Sequence, residues 1–184
     1  GNLVDSLERL MVYATATGGC NLTKLPSLLT DDGQLLIKTL NTEGINQLSA
    51  LIAGDVQEHH QLEPLKPDII GEYFVLNYIA QNQYSDDCKE MIKVCWKEFD
   101  EFLFFLSRCV HSYLGEFSNL VFGKQPILFQ GAEPIAQAVV LLEMTTLPDV
   151  ELNQKAVKCI ESLCQERKVS FLAYAKGLVN LSNK

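Results

Sequence analysis

Basic residues are scarce in this sequence: 15 Lys and Arg stand against 23 Asp and Glu, a formal charge of −8. Nucleic-acid-binding domains carry a basic stripe or face, and anionic membranes recruit polybasic segments, so the charge argues against both classes. No run approaches the roughly 18–20 consecutive apolar residues of a spanning helix. No basic start followed by an apolar segment marks a secretion signal. Paired cysteines are missing as well. Cys20, Cys88, Cys95, Cys109, Cys159 and Cys164 form no C-x-x-C pair and no close Cys/His cluster, whereas a tetrahedral zinc site draws its ligands from short spacings. Five of the six fall at apolar positions of helix-like segments, where a thiol acts as a small hydrophobe. Buried, reduced cysteines and a cytoplasmic setting are therefore expected. What the sequence does have is 184 residues, 47% of them apolar, enough for one domain with a real core or two small ones. It begins Gly1-Asn2, which suggests a piece of something larger.

Apolar spacing predicts a helix over Asn2 to Thr17, with Leu3, Leu7, Leu10, Met11 and Ala14 on one face and Gly18-Gly19 ending it. Three shorter helical stretches follow at Leu25–Leu29, Asp32–Leu40 and Glu43–Ile52. Pro64 and Pro67 exclude a helix nearby, so a short two-stranded ribbon is expected around Gln57 and Leu62–Leu65. Asp68 stands at an N-cap position before an apolar helix, Ile69 to Gln81, with Ile70, Tyr73, Phe74, Tyr78 and Ile79 read as inward. Helices, a ribbon and a closing helix make a winged-helix-like domain over residues 1–82.

Residues 83–184 read as purely helical, a repeat-like (TPR-like) array or a bundle. Asp87 to Leu114 is expected as one long helix, ended by Gly115, followed by a weak zone from Phe117 to Gln130. Pro134 opens a helix with Ile135, Ala138, Val139 and Leu142 inward. Pro148-Asp149 opens another with Leu152, Ala156, Cys159, Ile160 and Leu163 inward. The last runs from Val169 to Leu181 on Val169, Leu172, Ala173 and Val179. Antiparallel helix pairs joined by short turns suggest a solenoid, although no repeat consensus is present.

Two separated segments carry a family likeness. Leu7 to Gly19, LERLMVYATATGG, and Leu65 to Leu76, LKPDIIGEYFVL, resemble the helices that open and close the winged-helix module of bacterial STAND-type NTPases. These are signal-transducing P-loop ATPases related to the NACHT and NB-ARC proteins. The likeness spans roughly residues 3–80, and such proteins often continue into helical repeats. It implies a non-catalytic regulatory fragment whose winged helix packs on a nucleotide-binding core, while the helical region senses a protein partner or self-associates. The departure is the missing Walker A loop, G-x-x-x-x-G-K-[ST]: Gly123-Lys124 is followed by Gln125 and lacks the first glycine. The resemblance therefore implies no cofactor in this chain, with ATP or ADP and Mg belonging to the parent protein. The alternative is a stand-alone all-helical protein-binding adaptor.

Asp68, Gly71 and Glu72 are candidate docking residues, although a capping Asp and an acidic first turn also serve the helix alone. Gly71 would allow another backbone to approach closely. Trp96 and Phe104, in a stretch rich in Phe, are candidate partner contacts, with core packing as the plainer reading. His59 and His60 are adjacent in an extended ribbon and point to opposite faces, so they do not chelate one ion. Cys109 and His111 are two apart on a helix and do not face each other. No G-x-S-x-G elbow or H-E-x-x-H motif is present, and no catalytic or metal-binding residue is assigned. Residues 1–82 hold four basic residues against ten acidic ones, and Glu43–Ile52, the candidate recognition helix, has no Lys or Arg. Without phosphate contacts the DNA reading of a winged helix loses its main source of affinity.

Overall fold

The first helix, α1 (Leu3–Ala16), forms where the apolar spacing placed it. It stops because Gly18 and Gly19 adopt φ of 74° and 117°, which side-chain-bearing residues avoid. The Gly19 N–H then donates to the Ala14 carbonyl at 2.6 Å, satisfying one of the helix's last acceptors. A computed structural model describes α1 and the rest of residues 3–21, 61–66, 68–166, 168–170, 172, 175–176 and 179–180. The helices expected at Leu25–Leu29, Asp32–Leu40 and Glu43–Ile52, and the positions of Gln57, His59 and His60, lie outside the described residues.

Two two-residue strands follow, β1 (Cys20–Asn21) and β2 (Gln61–Leu62), paired antiparallel with Cys20 opposite Leu62. Leu62 is thus in a ribbon, as expected, but its described partner is the strand leaving α1. Buried Leu62 joins Leu10, Met11 and Ala14 in a small core, with Cys20, Leu65 and Phe74 packed on it. Helix α2 (Asp68–Asn82) lies against α1. Helix α3 (Asp86–Cys95) also packs on α1, burying Cys88, Met91, Ile92 and Cys95 at helical spacing. Ser85 caps it, accepting from the Cys88 N–H at 3.3 Å.

The long helix expected over Asp87–Leu114 is two helices, α3 and α4 (Phe99–Ser112). The break falls at Trp96-Lys97-Glu98, where Lys97 and Glu98 N–H groups donate three residues back, to Val94 and Cys95. No Gly or Pro marks it. Packing accounts for it: Trp96 is buried and meets Phe102 edge-on at 4.8 Å, while Phe102 stacks on Phe105 at 6.2 Å. Acidic pairs in both first turns, Asp86-Asp87 and Asp100-Glu101, suit two helix starts.

The chain divides into two compact units, Gly1–Phe105 and Leu106–Lys184. The division lies beyond the boundary expected at residue 82, because α3 is fastened to α1. Arg9 Nη1 donates to Asp87 Oδ2 at 2.7 Å, with the Arg9 side chain only 11% exposed. In the second unit, the end of α4 leads to α5 (Asn119–Phe122), a 3-10 turn at Ile127–Phe129, α6 (Pro134–Met144) and α7 (Val150–Gln165). Helices α6 and α7 pack on each other; α6 buries Ala136, Ala138, Val140, Leu141 and Met144, and α7 buries Leu152, Ala156, Val157 and Ile160. Asp149 caps α7 by accepting from the Leu152 N–H at 3.0 Å. The buried face of α6 differs from expectation: Ile135 is 58% exposed, and Val139 and Leu142 are half-buried. Ala136 and Ala138 are the buried positions of that turn instead. Leu172 and Val179, expected inward, are 76% and 57% exposed; Ala173 lies outside the described residues.

Candidate interaction surface

Helix α2 presents two faces of different character. Gly71, Glu72, Val75, Leu76, Tyr78 and Ile79 are buried, whereas Asp68, Ile69, Ile70 and Tyr73 are exposed. Ile70 and Tyr73 are thus corrected from inward to outward, at 58% and 45% exposure; Tyr78 and Ile79 are inward as expected. The reason lies at Gly71. A Cβ there would stand 2.8 Å from Thr15 Cγ2 and 2.9 Å from the Leu65 carbonyl, so only glycine lets α2 seat this close to α1 and the strand exit. Thr15 Oγ1 accepts from the Leu65 N–H at 3.2 Å and holds that exit in place. Once Gly71 points inward, helical rotation turns Ile69, Ile70 and Tyr73 outward.

Gly71 therefore admits another backbone, and that backbone is Leu65 of the same chain. Glu72 is 3% exposed and belongs to the interior rather than to a docking surface. Asp68 opens α2 as its first residue and is exposed. The exposed apolar edge beside it, Ile69–Ile70–Tyr73, escaped the sequence reading because the helix's polar residues, Asp68, Glu72, Asn77, Gln81 and Asn82, are scattered around it and mark no single polar face.

The two aromatic candidates also separate. Trp96 is buried in the ring cluster with Phe99 and Phe102. Phe104 is 63% exposed on α4, two residues from fully buried Phe102 and next to buried Phe105.

Burial raises the pKa of several thiols. Burial pushes Cys20 up to about 12, and Cys88 to about 12 with Arg9 opposing the rise. Burial also raises Cys95 strongly. Tyr13 is raised to about 12, first by burial and then by Glu98 and the nearby thiols. All six cysteines are free thiols: Cys88, Cys95 and Cys109 are buried, and Cys20, Cys159 and Cys164 half-buried. Among the described residues no group of three or more His, Cys, Asp or Glu side chains is arranged to hold a metal ion, and no helix is long and apolar enough to cross a membrane. The fold is that of a mainly helical protein with one short antiparallel ribbon. No protein family, curated protein or solved structure matches this chain.

Proposed function

We propose that this chain is a non-catalytic regulatory element of a STAND-like signalling ATPase. Its first part is a winged-helix module that packs on a nucleotide-binding core. Its helical remainder, a repeat-like array, senses a protein partner or self-associates and so shifts the population of the active form. ATP or ADP and Mg belong to that core, and the setting is cytoplasmic.

The observation that supports this reading best is the order of elements: α1 precedes β1, β2 precedes a helix packed back on α1, and the two strands pair antiparallel. The exposed edge Ile69–Ile70–Tyr73 supplies a surface suited to a neighbouring domain. The test is the reading frame upstream of Gly1, expressed with and without this chain. A Walker A domain encoded there should co-purify with the chain, and I70D/Y73D should abolish capture while moving the midpoint of unfolding by less than about 0.5 kcal/mol, as exposed positions do. An initiating Met at this boundary, or a P-loop domain that ignores the chain, refutes the proposal.

A further inference from the structure

Helices α3 and α4 share one apolar stripe. Cys88, Ile92, Cys95, Phe99, Phe102 and Leu106 recur at alternating spacings of four and three, straight through the break at Trp96-Lys97-Glu98. That is the period of a single continuous helix. The break residues do not oppose one: Lys97 and Glu98 are strong helix formers, and no Gly or Pro stands among them. Five of the six stripe residues are buried. The exception is Phe99, beside the break, at 36% exposure.

The bend gives α4 an N-terminus of its own, whose first amides have no acceptor in a preceding helical turn. Lys97 and Glu98 close the joint by donating three residues back, to the Val94 and Cys95 carbonyls at 2.9 and 3.0 Å. Fusing α3 to α4 restores helical bonds across the joint and brings Phe99 into line with the stripe. It also carries the start of α4 out of the unit that encloses it, Gly1–Phe105, and uncovers Phe102 and Phe105. Within one chain that loss outweighs the gain, because burial of large apolar side chains dominates stability. Between two chains the loss disappears, since each copy can fill the place that the other vacates.

We propose that the Trp96–Glu98 joint is a hinge through which two copies of this chain exchange segments and form a swapped dimer. In the dimer α3 and α4 run on as one helix from Asp86 to Ser112. Phe102 and Phe105 of each copy pack in the first unit of the other, so the packing broken at the joint is remade between chains. The fused joints supply the new contact between copies, and Phe99 is the apolar side chain there to cover. A short connection between two helices that can be one is a hinge of the kind that favours exchange. The proposal requires no partner but the chain itself.

Refolding the full chain from urea at low and high concentration, with reductant present, and weighing the products by light scattering tests it. A dimer should form at high concentration and part slowly on dilution, because the copies must open before they separate. Hydrogen exchange locates the change: the amides of Phe99, Asp100 and Glu101 should exchange roughly tenfold or more slowly in the dimer than in the monomer. F99P should fold as a monomer, since proline suits the first position of α4, and should not dimerise, since proline breaks a fused helix. If F99P fails to fold, K97G/E98G replaces it: glycine is tolerated in a turn but weakens a helix interior, so dimerisation should fall roughly tenfold or more. Monomer alone after refolding at high concentration overturns the proposal. So does a dimer whose joint amides exchange as in the monomer, which would be a side-by-side pair, and so does a hinge variant that dimerises as well as the parent.

Discussion

Replacing Gly71 by Ala tests how the opening and closing helices are joined. On helix propensity alone, Ala should stabilise α2 by about 1 kcal/mol over Gly. The structure reverses the sign. The new Cβ would lie 2.8 Å from the Thr15 methyl and 2.9 Å from the Leu65 carbonyl, against comfortable carbon contacts of about 3.5–4.0 Å. Neither neighbour yields easily: Thr15 is 5% exposed, and its hydroxyl holds the Leu65 N–H at 3.2 Å. Overpacking of this kind costs about 1–3 kcal/mol, so after the propensity gain G71A should be destabilised by a net ~0–2 kcal/mol. Trimming the obstructing methyl with T15S leaves the hydroxyl in place and loses one buried methyl, about 0.8 kcal/mol. In G71A/T15S the two costs should therefore sum to less than their parts, because the Cβ–methyl clash is gone while the Leu65 contact remains. Urea unfolding followed by the fluorescence of Trp96, the chain's only tryptophan, measures all four proteins. A G71A protein more stable than the parent, or strictly additive effects in the double variant, would refute the close approach at this crossing.

The ring cluster makes a contrast within one helix: F102A should cost about 3–5 kcal/mol, whereas F104A, at a position 63% exposed, should stay within about 0.5 kcal/mol. The same urea titration separates them. Stability should also fall in alkali. Cys20 and Cys88 are raised from 9.0 to about 12 and Tyr13 from 10.0 to about 12, all chiefly by burial. The folded chain thus keeps protons that the unfolded chain releases. The stabilisation is complete below pH ~9 and is lost as the pH climbs toward ~12, by up to roughly 1.4 kcal/mol per pH unit for each group in its window. Urea midpoints at neutral pH and near pH ~10.5 check it, and a flat profile would contradict the burial of these three groups. At neutral pH the fully buried Cys88 and Cys95 thiols should react with a disulfide reagent only when the chain opens.

The sequence by itself determined most of the local structure. Periodicity and the Gly18-Gly19 stop marked α1, Pro134 and Asp149 marked the starts of α6 and α7, and Leu62 was legible as ribbon. Cysteine spacing without pairs pointed to free thiols, as found. These features are encoded within one or two turns of chain, where capping and side-chain spacing act directly. Orientation was decided elsewhere. In α2 the polar residues fall on no single face, so the buried face was set by where Gly71 meets Thr15 and Leu65, and Glu72 went inside while Ile70 and Tyr73 came out. The α3–α4 break needed no helix-breaking residue, only the packing of Trp96 on Phe102. The pairing of β1 with β2 joins residues forty apart in sequence. Apolar spacing and capping residues indicated which local elements this chain forms. Close packing between distant segments, where one methyl or one missing Cβ decides the fit, chose the faces it presents.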